Sequence, residues 1–134
     1  MADKLSFSLV SPAREVFSGE VDHVIAPGSE GEFGVLPKHA PFMTTLRNGL
    51  VRVLGAEDGD MRIFVRSGFA DVTPEGLTIL AEEAVDLADL NLDAVRAEIE
   101  DAEVALGRTE TETAAHQTLS ERIAFLNGLV DAAA

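Results

Sequence analysis

A β-sandwich or barrel of about eight to ten strands, followed by an antiparallel helical hairpin, is the fold that this 134-residue sequence predicts. Three observations predict it. Up to residue 87, short runs rich in β-branched and aromatic residues alternate with turn chemistry. Beyond residue 87, glycine becomes scarce and the apolar period lengthens from two to between three and four. Charge density changes at the same place. Residues 1–87 carry 14 acidic and 7 basic side chains, and residues 88–134 carry 10 and 3, the same net −7 in about half the length. The expected domains are therefore a β domain over 1–87 and a helical hairpin over 88–134.

The elements follow in order. In KLSFSLV (4–10), Leu5, Phe7 and Leu9 fall on one face and Lys4, Ser6 and Ser8 on the other, the period of a half-buried strand. EVDHVIA (20–26), FMTTLR (42–47), GLVRVLG (49–55), MRIFVRS (61–67), FADVT (69–73) and LTILAEE (77–83) read as further strands. Between them lie SPAR, SG, PGSEG, LPKHAP, RNG, AEDGD and TPEG, all rich in turn formers. In the second part, Leu92, Val95, Ile99, Ala102 and Leu106 form a narrow seam at steps of three and four. Asn91 is placed to cap this helix, Asp93 sits in its first turn, and Gly107 ends it. Thr109 and Glu112 have capping-box spacing for a second helix, whose seam is Leu119, Ile123, Leu126 and Val130. Two helices with a brief connection make a hairpin. It is too small to bury much by itself.

Composition narrows the function. The chain is 46% hydrophobic, enough for a real core, and has no cysteine, hence no disulfide framework, thiolate zinc site or cysteine nucleophile. A net charge of −14 repels nucleic-acid backbones and anionic lipid head groups. No apolar run approaches the roughly 18 residues of a membrane span, and MADKLSFSLV matches neither a signal nor a transit peptide. The expectation is no nucleic acid, no membrane insertion and no targeting segment.

The densest cluster of special residues is GSEGEFGVLPKHAPFMT (28–44). Gly28, Gly31 and Gly34 are neither a dinucleotide fingerprint nor a P-loop, since Lys38 is followed by His39 and no βαβ pattern surrounds them. They read as turns or bulges. Pro37 and Pro41 stiffen the segment around Lys38-His39-Ala40, which suits a fixed contact surface. His23, His39 and His116 have no partner at ligand spacing, so no metal site is expected. No G-x-S-x-G elbow occurs, and no catalytic residue is assigned. On the first helix, Asp93 and Arg96 stand three apart, the spacing of an ordinary surface ion pair.

Read in order, FSGEVDHVIAPGSEGEFGVLPKHAPFMTTLRNGLV (17–51) resembles the N-terminal domain of the epsilon subunit of rotary ATP synthases, whose mitochondrial counterpart is called delta. The elements that carry the likeness are Phe17-Ser18-Gly19, Pro27-Gly28 with Glu30-Gly31-Glu32-Phe33-Gly34, then Pro37 and His39-Ala40-Pro41. The β part followed by a helical part extends it over the whole chain, and LVSPAREVFSG fits the family's first strand pair. The resemblance implies a flattened sandwich of about ten strands and a C-terminal hairpin. It implies a non-catalytic subunit of the central stalk, peripheral on the cytoplasmic side of a bacterial inner membrane, that couples the c-subunit ring to the gamma subunit and the catalytic head. Carried onto this sequence, the ring contact falls on Glu32, Phe33, Lys38, His39 and Ala40. Exposed apolar residues of one sheet, Phe42, Met43 and Leu46, are assigned to gamma.

The same resemblance raises a second function for the hairpin. Some relatives bind ATP there through an Ile/Leu-Asp-x-x-Arg-Ala motif, which Leu92-Asp93-Ala94-Val95-Arg96-Ala97 matches. Asp93, Arg96, Ala97 and Arg122 are thus the candidate ATP-binding residues, with MgATP as a regulatory ligand and no cofactor required. In other relatives basic residues of the second helix meet an acidic segment of the beta subunit and block ATP hydrolysis. Here that helix is acidic, and like charges oppose such a contact. The expectation is a structural coupling subunit whose hairpin inhibits weakly or not at all; an ATP-sensing module is the alternative.

Overall fold

The computed structural model describes residues 3–133. Among them are eight strands, a 3-10 turn over Leu87–Asp89 and two helices, in two compact units that divide between Asp89 and Leu90. The strands are β1 (Leu5–Val10), β2 (Glu15–Val21), β3 (His23–Gly28), β4 (Gly31–Val35), β5 (Phe42–Leu46), β6 (Gly49–Leu54), β7 (Met61–Thr73) and β8 (Gly76–Asp86). β2 runs through the SG pair expected as a turn, the strand expected over 20–26 is divided at Asp22 between β2 and β3, and β4 lies inside the glycine-rich stretch expected as turns.

The segments expected as separate strands over 61–67 and 69–73 are one continuous strand, β7. Its first part pairs with β6 from Met61 to Val65, and its second pairs with β5 from Gly68 to Val72. β8 follows β7 along both parts, and its first part also runs parallel to β1, from Phe7↔Leu77 to Val10↔Leu80. One layer is therefore β2, β1, the first half of β8, the second half of β7, and β5. The other is the second half of β8, the first half of β7, β6, β3 and β4. Each layer has five strand segments built from eight strands, because two strands serve both.

The crossing point is a bend with left-handed backbone at Ser67 (φ 40°) and Gly68 (φ 140°). The Ser67 N–H donates to Asn48 Oδ1 at 2.9 Å, so the amide has a partner at the kink. A Cβ on residue 68 would overlap the Leu80 carbonyl oxygen, which only glycine avoids.

The core fills the space between the layers. Leu5, Phe7 and Leu9 of β1, Leu77, Ile79 and Ala81 of β8, and Val51 and Val53 of β6 alternate inward, as period two requires. Val21 of β2, Val24 and Ala26 of β3, Val35 of β4, Leu46 of β5 and Ile63, Val65, Ala70 and Val72 of β7 complete the cluster. Phe17 adds an aromatic contact to Phe7, with ring centroids 5.6 Å apart.

The hairpin consists of α1 (Leu92–Gly107) and α2 (Ala114–Ala133). Asn91 caps α1, its Oδ1 accepting from the Ala94 N–H at 3.1 Å. Thr109 does not cap α2. Its hydroxyl donates back to the Ala105 carbonyl at 2.7 Å and finishes α1, while Thr113 Oγ1 accepts from His116 N–H at 3.1 Å and starts α2. The two residues share the helix-capping chemistry, and the longer connection selects the later one. Val95 and Ala102 are buried on α1, and Phe125, Leu126 and Leu129 on α2. The buried face of α2 is thus turned slightly from the expected seam of Leu119, Ile123, Leu126 and Val130. Arg122 ties the helices: Nε and Nη2 both donate to Glu98 Oε1 at 2.9 Å, and the guanidinium lies 5.3 Å from the centre of the Phe125 ring.

Two outcomes are expected in chemical denaturation. Gly68→Ala lowers the unfolding free energy of the β unit by about 2 kcal/mol or more, because strain and overlap both appear. Asn91→Ala costs the hairpin about 1 kcal/mol, read as lost helicity in circular dichroism.

Candidate protein interface

The loop from β4 to β5, residues 36–41, is shaped by its own sequence. The His39 N–H donates to the Leu36 carbonyl at 3.2 Å, closing a four-residue turn. Pro37 occupies the second position, where its fixed φ is suited, and Lys38 the third, with φ 65°. This is the pattern of a type II turn, whose third position favours glycine or asparagine. A lysine there carries a backbone cost of about 1 kcal/mol. The Lys38 ammonium lies 2.9 Å from Asp3 Oδ2. The hydrogen bond that Lys38 donates to Asp3, then the negative charge of Asp3, raises the Lys38 pKa above the ordinary 10.5. Any stabilisation from this exposed pair is present below that ordinary value and is lost only as pH rises through the raised one.

His39 Nδ1 lies 2.6 Å from the Ala40 carbonyl oxygen. A carbonyl can only accept, so Nδ1 carries the proton and the neutral ring keeps Nε2 as an acceptor. The His39 ring is 6.4 Å from that of Phe42, and Phe42 meets Phe33 edge-on at 5.4 Å. Phe33 can lie flat over β3 because residue 28 is glycine; a Cβ there would come within 2.9 Å of the Phe33 ring. The pair joins β4 and β5, which end the two layers on this side. Around it Leu36, Phe42 and Met43 are 55%, 42% and 61% exposed, which is unusual for side chains of this size.

The structure thus brings Phe33, Lys38, His39, Ala40 and Phe42 into one region, while Met43 projects from the opposite face of β5 to Phe42. Glu32 points to the opposite side of β4 from Phe33, and its Oε1 lies 3.4 Å from Arg52 Nη2. Leu46 corrects the sequence reading. It is 4% exposed and belongs to the core, because Thr44 and Leu46 face inward along β5 while Met43 and Thr45 face out. Its place on the surface is taken by residues the sequence reading passed over. Thr45 stands opposite Phe69, Phe69 opposite Leu80, and Leu80 opposite Val10, an outward row across four strands. Leu80 is 53% exposed. The alternation in LTILAEE already turns Leu80 outward once Leu77, Ile79 and Ala81 face the core, so the signal was there.

On the hairpin, Asp93, Arg96 and Ala97 are exposed on α1, and among the described residues Asp93 and Arg96 form no ion pair. Arg122 is not with them but is held by Glu98 and Phe125. A broad hollow of the β unit, about 1110 Å³, sets Glu20, Asp58, Asp60 and Asp86 beside Lys4 and Arg62. Among the described residues no group of three His, Asp or Glu is placed to hold a metal ion, and no helix is long and apolar enough to cross a membrane.

A bent two-layer β unit with an exposed aromatic loop, continued by a helical hairpin, defines a class of two-part β-sandwich and hairpin proteins. Comparison makes this specific. Residues 4–87 match the family model described as the ATP synthase, Delta/Epsilon chain, beta-sandwich domain. The ATP synthase epsilon chain of Hyphomonas neptunium is 58% identical over 134 residues, covering all of this chain and 99% of that one. The ATP synthase epsilon chain of Caulobacter vibrioides is 66% identical over 87 residues, covering 63% of this chain and 98% of the relative. The fold is also found in a chain of the Euglena gracilis mitochondrial ATP synthase, with a TM-score of 0.75 at 22% identity, covering 96% of this chain and 81% of that one. The chain belongs to the ATP synthase epsilon-chain family.

The turn generates its own test. Lys38→Gly relieves the left-handed strain and is expected to raise the unfolding free energy by up to about 1 kcal/mol in spite of the lost ion pair. Lys38→Val, with a β-branched side chain at the same φ, is expected to lower it.

Proposed function

We propose that the chain is a non-catalytic central-stalk subunit of a proton-translocating F-type ATP synthase, coupling the membrane c-ring to the gamma subunit and catalytic head. The observation that carries this reading is the rigid loop of a family member that exposes Leu36, Phe42 and Met43 around His39 and Lys38. Large apolar side chains held out by a turn and an aromatic pair fit a protein contact better than a reacting centre. In this reading Phe33, Lys38, His39 and Ala40, with Glu32 at the margin, meet the c-ring. Met43, Phe42 and the row Phe69, Leu80 and Val10 meet gamma. The location is peripheral, on the cytoplasmic side of a bacterial inner membrane. Replacing both Met43 and Leu80 with Asp is expected to weaken co-purification with gamma about tenfold or more, with thermal unfolding little changed. Undiminished recovery with gamma would overturn this assignment.

The hairpin, in this proposal, inhibits ATP hydrolysis weakly or not at all. Its net charge is −7 over residues 88–134, and Arg122, the basic residue of α2, is engaged with Glu98 and Phe125. Deleting residues 90–134 from the assembled complex is expected to change hydrolysis less than severalfold; a many-fold release would refute the proposal. The exposed Leu92–Ala97 motif supports the second reading, an ATP-sensing module. Calorimetry of the full chain with MgATP decides it: no binding heat is expected, and tight binding abolished by Arg96→Ala would favour sensing.

A further inference from the structure

No Asp or Glu occurs from residue 33 to residue 56, in a chain with 24 acidic residues. Three basic side chains, Lys38, Arg47 and Arg52, fall in that window. Arg52 faces Glu32. Lys38 stands at the tip of the exposed loop, its side chain 80% accessible, in a left-handed position that glycine would hold without strain. The fold therefore gains nothing in backbone energy from a lysine at this point. A strained non-glycine residue on a contact loop is the kind of observation from which function is argued.

We propose that Lys38 is a docking residue whose ammonium meets a carboxylate on the protein surface facing the loop, and that Asp3 is an internal stand-in for that carboxylate before docking. The inference rests on the reading of this loop as the ring contact and adds the chemistry of the opposing surface: an acidic side chain in the polar loops of the ring. The acid-free window supplies the complementarity. Elsewhere the chain's negative charge would repel such a surface; here the nearby carboxylates, Asp3 and Glu32, are each paired with a basic side chain. Exchange of one exposed ion pair for another is nearly neutral in water. It becomes favourable when the exposed Leu36 of the same turn is covered at the same time and excludes water from the new pair. An anionic lipid head group is the poorer occupant, because lipid surfaces recruit clusters of basic residues and this tip has one in a chain of net charge −14.

The test measures binding of the full-length chain to a detergent-solubilised c-ring and gamma subcomplex. Lys38→Gly is expected to weaken binding about tenfold, Lys38→Arg to restore most of it, and Asp3→Asn to tighten it severalfold, with all three effects shrinking at high salt. The proposal is overturned if Lys38→Gly binds like the parent chain, or if Asp3→Asn weakens binding as Lys38→Gly does. It is also overturned if the Lys38→Gly effect appears only with vesicles containing anionic lipid. His39→Ala separates the two levels. Weakening by His39→Ala but not by Lys38→Gly removes the role of Lys38 alone; no change with either removes the ring contact itself.

Discussion

The bend at Ser67 and Gly68 is the constraint on which the β unit depends. Two hydrogen-bonded strands cannot serve two facing layers unless both turn together, and they can turn only where a side chain is absent on the inside of the curve. Gly68 provides that absence against the Leu80 carbonyl, and Asn48 satisfies the Ser67 amide that the kink exposes. The pairing of β7 with β8 continues on both sides of the bend, from Ile63↔Asp86 to Thr73↔Gly76. Beside it, Arg66 approaches Glu82 and Glu83 at 3.6 and 3.8 Å, so charges on both strands are held together at the point of greatest curvature. Everything packed between the layers takes its position from this crossing.

A sandwich made this way has sides to close. On the side where β4 and β5 end the layers, one backbone pair, Gly28↔Leu46, joins β3 to β5. Aromatic packing extends the closure: Phe33 covers the bare Gly28, and Phe42 stands edge-on to Phe33. The loop that connects these strands is short and proline-stiffened, so the closure also fixes the exposed loop. His39 and Lys38 are presented by residues that are needed for the fold in any case. This is why exposed loop residues and core residues alternate so closely along one short segment.

Much of this was legible in the sequence. Period two in KLSFSLV and LTILAEE placed the core faces of β1 and β8, and Asn91 and Gly107 marked the ends of α1. Other features were not, for identifiable reasons. β4 contains two glycines and a glutamate, and its pairing with β3 is a long-range choice that local propensity cannot express. Leu46 belongs to the same apolar segment as Phe42 and Met43, and only the pairing of β5 with β7 shows that it is turned into the core. Thr109 and Thr113 are chemically equivalent as caps, and the helix geometry decided between them. Lys38 gave no sign of strain in the sequence, since Pro-Lys is an ordinary pair until the turn type is known.

The distribution of charge gives the two units different characters. The hairpin carries net −7 in about a third of the chain, and its basic residue Arg122 is used internally, between Glu98 and the Phe125 ring. Such a density of like charge favours a solvated surface. The β unit instead keeps one long stretch free of acids, and that stretch includes the aromatic closure and the exposed loop. Selective removal of one sign of charge costs the fold nothing, since exposed carboxylates contribute little to stability. It matters only where another surface approaches, because desolvating an unpaired carboxylate at a contact is expensive. A segment cleared of acids can therefore be approached by another surface without that cost, whereas the acidic hairpin would impose it at almost any face.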